Sequence, residues 1–203
     1  MVCWQCEAPM EEHEATCSVC GVVQPPAELD PFARLGFKRS ASLTAADIGE
    51  RRRALLHHLH PDRFAAHSPT AGLHAHALAT AINDAARALR DPLDRLTLLF
   101  RLLGIDGPPL LPDPRFRTLT EEYEAALAEL VGVDAHGERD RLAREIAHRF
   151  QDGYDTLAAG LEAGDLPPLL ARRALGELTT LRRLLDALEA LDTTPDRLGR
   201  RRT

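Results

Sequence analysis

Apolar residues recur at helical spacing along most of the chain. Ile48, Leu55, Leu56 and Leu59 share one face of an early segment, and Leu78, Ile82, Ala85 and Leu89 one face of the next. This spacing predicts amphipathic helices. Start and stop signals set their bounds. Asp30 before Pro31, with Gly36 after Leu35, predicts a short capped helix. Thr44 and Asp47 form a capping box, flanked by Leu43 and Ile48 as a hydrophobic staple. Pro61 ends that helix near His60. Residues 61–70, which contain Ser68-Pro69, read as a loop, and a long helix follows over about residues 73–90. Asp91-Pro92 caps another helix over residues 93–103, ended by Gly104.

Residues 105–114 hold four prolines and read as a connection between domains. Three further stripes follow. The first is Leu119, Tyr123, Leu127 and Leu130. The second runs Leu142, Ile146, Phe150, Tyr154, Leu157 and Leu161, with Gly164 as its end. The third is Leu178, Leu181, Leu185 and Leu188. Three helices joined by short loops imply an antiparallel bundle. Leu and Ala dominate the apolar set, so the fold class is all-α.

Residues 1–24 break the pattern. They hold all four cysteines and the one Trp, and Pro25-Pro26 closes them off as a stiff linker. Three parts result: a module at 1–24, a hairpin domain at 28–104 and a helical bundle at 115–192. The chain has 203 residues, 44% hydrophobic and 28% charged, which suits folded domains rather than disorder. The net charge of −6 argues against a general nucleic-acid binder. No apolar run nears the roughly 20 residues that cross a bilayer, which argues against a membrane partner. The start MVCWQCEAPM has neither a basic nor an apolar signal region, so the expected location is cytoplasmic.

Cys3-x-x-Cys6 and Cys17-x-x-Cys20 are ten residues apart. Two such pairs let four thiolates converge on one structural zinc, and Gly21 suits the tight turn after the second pair. An iron–sulfur cluster and a redox or disulfide pair are the other uses of four thiols. A zinc held by four thiolates keeps no open position, so this module is a scaffold or docking element. Six histidines, His57, His58, His60, His67, His74 and His76, cluster in sequence. A second metal site would need three on one face, and solvent-facing side chains fit the spacing better. Arg200, Arg201 and Arg202 read as a solvated tail.

The segment LLHHLHPDRF, residues 55–64, places His60, Pro61 and Asp62 after the end of a helix that carries Arg51, Arg52 and Arg53. Pro61 fixes the turn and projects its neighbours. No nucleophile and orienting group accompany them, so a hydrolytic triad is a poor reading. A partner-docking tip and an incidental polar loop both fit the tripeptide alone.

The HPD turn between two antiparallel helices resembles a J domain. Ile82-Asn83-Asp84-Ala85 through Leu89-Arg90-Asp91-Pro92-Leu93, then Arg95 and Leu98-Leu99, is similar to the end of the J domain in HscB-type iron–sulfur co-chaperones. Those continue into a three-helix bundle, and eukaryotic members carry an N-terminal CxxC…CxxC zinc module with Trp after the first Cys. The resemblance implies an adaptor, not an enzyme. His60, Pro61 and Asp62 would dock on a DnaK-type (HscA-like) chaperone and stimulate its ATPase, with Arg51, Arg52 and Arg53 meeting an acidic surface. The bundle would hold the iron–sulfur scaffold protein near Leu119, Tyr123, Glu124 and Leu127, although the same stripe also suits bundle core. Three positions depart from the family pattern. Leu59 stands where an aromatic is usual, His57 and His58 where Lys or Arg is, and Thr120 where a larger apolar residue is. Two alternatives remain: a general J-domain co-chaperone for unfolded clients, and a zinc-knuckle nucleic-acid or regulatory adaptor.

Overall fold

The computed structural model describes residues 1–11, 14–65, 68–131 and 135–193. Among these it contains eight α-helices and no strand: α1 Pro31–Leu35, α2 Ala45–His58, α3 Pro61–Ala65, α4 Pro69–Arg90, α5 Pro92–Leu102, α6 Pro114–Glu129, α7 His136–Ala163 and α8 Pro168–Thr193. They fall into two compact units, Met1–Leu99 and Phe100–Thr203. His67 and Arg200 to Arg202 lie outside the described residues.

In the first unit the caps act as their residue types require. Asp30 Oδ1 accepts from the N–H groups of Phe32 and Ala33 at 2.9 and 3.1 Å, and Arg39 pairs with its Oδ2 at 2.9 Å. Thr44 and Asp47 bond each other's backbone N–H in a complete capping box. Partial burial pushes the Asp30 carboxyl up, but the Ala33 N–H and the Arg39 guanidinium outweigh it and hold it below the ordinary 3.8. A carboxyl lowered by folding stabilises fully above its unfolded pKa and loses that contribution as pH falls through the folded value. Asp30→Ala is therefore expected to cost about 1 kcal/mol at pH 7. In urea titrations its gap from the parent should close progressively below pH 3.8.

Helices α2 and α4 pack antiparallel. Arg52 reaches Asn83 at one level, while Leu55 and Leu59 share a cavity with Leu78 and Ile82 at another. The core between them buries Phe32, Leu35, Ile48, Leu59, Phe64, Leu78, Ile82 and Leu89. Buried Arg95 bonds the carbonyls of Ala41 and Leu89 at 3.0 and 2.6 Å, which ties the α1–α2 connection to the end of α4.

The span expected to be a loop, residues 61–70, is largely helical. Pro61 opens α3, and α4 starts at Pro69 rather than near residue 73. Ser68 accepts the Ala71 N–H at 3.1 Å as N-cap. Both prolines occupy helix starts, where the missing N–H costs nothing and the fixed φ helps.

In the second unit α7 and α8 form an antiparallel pair. Ile146, Phe150, Tyr154 and Leu157 are buried on α7, and Leu178, Leu181, Leu184 and Leu188 on α8. Leu185, expected in that stripe, is half-buried while Leu184 takes the inner position. Arg182 lies 5.0 Å over the Phe150 ring. The proline-rich connection crosses α8 at Gly176. Leu110 donates its N–H to the Arg172 carbonyl at 3.0 Å, and a Cβ on Gly176 would collide with the Leu110 carbonyl oxygen. Helix propensity alone would favour alanine there by about 1 kcal/mol. Backbone overlap outweighs this, so Gly176→Ala is expected to destabilise the unit by about 1–3 kcal/mol, read as a lower unfolding midpoint.

Candidate functional sites: an exposed turn and a cysteine centre

Leu59 ends α2 with its N–H on the Leu55 carbonyl, and α3 begins two residues later. Buried Leu59 and Phe64 anchor the chain on either side of the turn. The side chains of His60 and Asp62 remain 56% and 89% exposed. The Asp62 N–H donates to His60 Nδ1 at 3.3 Å. Nδ1 also lies 3.6 Å from the Asp62 carboxylate, so both contacts with Asp62 fall on the Nδ1 edge of the ring and Nε2 is left for a partner. Arg63 Nη1 stands 3.5 Å from the carbonyls of His57 and His58, over the C-terminus of α2. A cation suits that end of the helix dipole. Sequence reasoning missed Arg63; its signal is a basic residue just beyond a proline-terminated helix.

The three arginines of α2 diverge. Arg51 donates from Nε to the Leu35 carbonyl at 2.7 Å, so it faces α1. Arg52 bonds Asn83 Oδ1 on α4 at 2.9 Å, and Arg53 is exposed. Of the neighbouring histidines, His57 and His58 are exposed and meet edge to face at 5.7 Å.

Cys3, Cys6, Cys17 and Cys20 come together with all four Sγ atoms within 4.8 Å of one another. Two equivalent turns build the site. Cys3 accepts from the Glu7 N–H and Cys17 from the Gly21 N–H through their carbonyls, at 3.0 and 2.8 Å. Glu7 and Gly21 match in backbone, at φ 60° and 71°, and only the second turn has the glycine this region favours. Gln5 and Val19 N–H groups lie 3.4 Å from the sulfurs of Cys3 and Cys17. The nearest cross pairs, Cys3–Cys20 and Cys6–Cys17, are 3.7 Å apart. That is far beyond a disulfide bond of about 2.05 Å. It equals the edge of a tetrahedron drawn with metal–sulfur bonds of about 2.3 Å, roughly 3.8 Å.

Burial raises Cys3, yet the N–H groups of Cys6 and Gln5 and the neighbouring thiols bring it down to about 6. The Ala8 backbone lowers Cys6, but Cys20, burial and the other thiols override it and push Cys6 up to about 12. Four thiolates this close repel one another, and a positive ion among them offsets that repulsion. The four cysteines could hold a metal ion, and no histidine joins this cluster among the described residues. Within the first unit Trp4 links the module to α4: its indole donates to the Val23 carbonyl at 2.8 Å and meets the His74 ring of α4 edge-on at 5.2 Å.

On α6 the four expected contact residues point different ways. Tyr123 is buried; its hydroxyl donates to Glu145 at 2.8 Å and accepts from Arg149 at 2.6 Å. Burial and the Glu145 bond raise its pKa. Leu119 and Leu127 are half-buried. Glu124 is exposed and pairs with Arg183 of α8 at 2.9 Å. Arg117, Thr118, Glu121, Glu122, Ala125 and Glu129 occupy the exposed face of α6.

No helix among the described residues is long and apolar enough to cross a membrane. No protein-family model matches the chain. Curated relatives do. A co-chaperone protein HscB homolog of Cupriavidus taiwanensis is 31% identical over 171 residues, 82% of this chain and 96% of that protein. An iron-sulfur cluster co-chaperone protein HscB of Mus musculus is 29% identical over 80% of this chain and 71% of its own. The crystal structure of human co-chaperone protein HscB superposes with a TM-score of 0.79 at 22% identity, covering 95% of this chain and 99% of that one. Chaperone HscB from Vibrio cholerae gives 0.67 at 25% identity, over 81% and 98%. An all-helical chain with this coverage of its relatives, carrying an exposed HPD turn, belongs to the HscB co-chaperone family.

Proposed function

We propose that the chain stimulates ATP hydrolysis by a DnaK-type chaperone through His60, Pro61 and Asp62 and delivers an iron–sulfur scaffold protein to it on the helical bundle. The observation that carries this reading is the exposure of His60 and Asp62 between two buried anchors, Leu59 and Phe64. A tip held at both ends offers its donors and its carboxylate without first having to be ordered, which lowers the entropic cost of docking. Arg52 and Arg53 supply positive charge beside the turn, which speeds and orients encounter with an acidic surface. Arg51 supports them by holding α2 to α1.

The bundle's contact to the scaffold is drawn by exposed Glu124 with the half-buried Leu119 and Leu127, while Tyr123 sets the pose of α6 from beneath. Zinc is the metal that fits four thiolates at this spacing, in a structural role with no open position. The cytoplasm is the compartment in which free thiols of this kind persist. An ATPase assay with the full chain tests the main claim. Stimulation of a DnaK-type chaperone, raised further by an iron–sulfur scaffold, is the expected outcome. No stimulation by the parent chain overturns it. Stimulation that the scaffold leaves unmoved, and that an unfolded client raises, favours a general client co-chaperone.

A further inference from the structure

Gln24 is buried almost completely, at 1% exposed, in a module with a small core. Its backbone N–H donates to the Ala15 carbonyl at 2.8 Å, which fixes its place beside the approach to Cys17. Its side-chain Nε2 donates twice, to the Val22 carbonyl at 3.1 Å and to Cys3 Sγ at 3.4 Å. The Val22 carbonyl decides which end of the amide faces this way, since an amide oxygen there would meet another acceptor. Oε1 is buried with no hydrogen-bond partner. An unpaired buried amide oxygen costs stability. Val22 does not require the amide, because its carbonyl also accepts the Cys17 N–H at 2.9 Å. The interaction left to offset the cost is the one with sulfur. Cys3 also receives the Gln5 N–H, just as Cys17 receives the Val19 N–H, each at 3.4 Å. The side-chain donor is added on the turn that holds Glu7 at φ 60°, where its counterpart has Gly21. A residue other than glycine carries strain in that region, so the amide reinforces the weaker of the two turns.

We propose that Gln24 is a positioning residue of the metal centre, whose amide holds the Cys3 sulfur in its ligand position and stabilises the charge on it. The proposal rests on the reading of the four cysteines as a zinc site. A sulfur bound to a metal has no proton and can only accept, so an N–H is the partner that suits it. Four thiolates on one divalent ion leave a net negative charge, and donors aimed at the sulfurs stabilise that charge where protein replaces water. Gln24 stands directly before Pro25-Pro26, so the same amide ties the start of the stiff linker to the metal centre. Its position four residues after Cys20 lies outside the two cysteine pairs, and only the fold brings it to Cys3.

The test compares Gln24→Met and Gln24→Glu with the parent in the full chain. Methionine is similar in length, has no N–H and removes the unpaired oxygen, so a role as mere filler survives that change. Zinc is titrated in competition with a chromophoric chelator, and cobalt(II) is bound in its place in a second sample. Gln24→Met is expected to bind one ion still, with an affinity for zinc about 10- to 100-fold lower. The sulfur-to-cobalt charge-transfer absorption should move to longer wavelength, because a sulfur without its donor gives up electron density more easily. Gln24→Glu, of the same shape but with a carboxylate against the thiolates, should weaken zinc at least as much. Zinc affinity equal to the parent's in either variant overturns the role of Gln24, and so does weaker binding with an unmoved absorption. A Gln24→Met chain that binds no ion makes the side chain part of the module's folding and likewise overturns it. A parent chain that binds neither zinc nor cobalt overturns instead the zinc reading beneath it.

Discussion

His60→Gln is expected to remove ATPase stimulation while leaving the fold as stable as the parent within about 0.5 kcal/mol. The two halves of that expectation have separate causes. His60 is more than half exposed, and its ring meets only exposed Asp62, through the N–H at 3.3 Å and the carboxylate at 3.6 Å, so little stability depends on the ring. Glutamine also carries an acceptor and a donor, but on a flexible chain instead of a rigid ring, so it does not fix the two at opposite edges of one plane. A residue at the centre of an interface typically costs 2–4 kcal/mol when altered, about 30- to 1,000-fold in affinity. Asp62→Asn should behave alike, because an 89% exposed carboxylate whose contact is the exposed His60 ring at 3.6 Å holds little of the fold together. Stimulation by both variants equal to the parent's would falsify the docking role. Equal melting curves with lost stimulation establish that the tip acts on a partner rather than on its own fold.

Much of the fold was legible because long helices repeat their buried positions many times. Leu78, Ile82, Ala85 and Leu89 on α4, and Ile146, Phe150, Tyr154 and Leu157 on α7, each recur over several turns and all are buried. Capping boxes and proline starts add local signals that depend on one or two side chains. Helix α3 was not legible, because five residues make little more than one turn and show no period. Its formation depends on Phe64 reaching the core, a tertiary fact. The Leu184–Leu185 ambiguity has the same origin, since adjacent leucines on a long helix differ by only about 100° and the packing of α7 decides between them.

The candidate site divides similarly. Four cysteines in two x-x pairs encode their convergence locally. The arginine run does not encode a face, because consecutive residues on a helix do not point together. Arg51 turns to the Leu35 carbonyl, Arg52 to Asn83 on α4, and Arg53 to solvent. The Leu119–Tyr123–Leu127 spacing fits an inward stripe as well as a contact face, and Tyr123 lies inward on Glu145 and Arg149. Exposure of the HPD turn could be argued from sequence only through the helix stop at Pro61; its rigidity comes from Leu59 and Phe64 together.

Removing the metal should unfold the cysteine module and leave the helices standing. The module buries only a few side chains, chiefly Cys3, Met10, Cys17, Val22, Val23 and Gln24. So small a core cannot offset the ordering of about twenty residues, whereas a structural zinc contributes on the order of 10 kcal/mol. Trp4 is the chain's single tryptophan, so its emission reports on this module alone. Its indole is held by the Val23 carbonyl and the His74 edge, and both contacts exist only while the two turns are closed. A strong chelator should therefore shift the emission to the red with little loss of helical circular dichroism. Cys3→Ser with Cys17→Ser should take metal content from one ion per chain to none and give the same shifted emission without chelator. The hairpin core around Leu78 and Ile82 contains no cysteine, so its cooperative melt should persist in that variant. Unchanged metal content would refute the four-thiolate site. Iron with inorganic sulfide in place of zinc would turn it into a cluster site, and the 3.7 Å sulfur spacing would then have to widen to admit more than one metal atom.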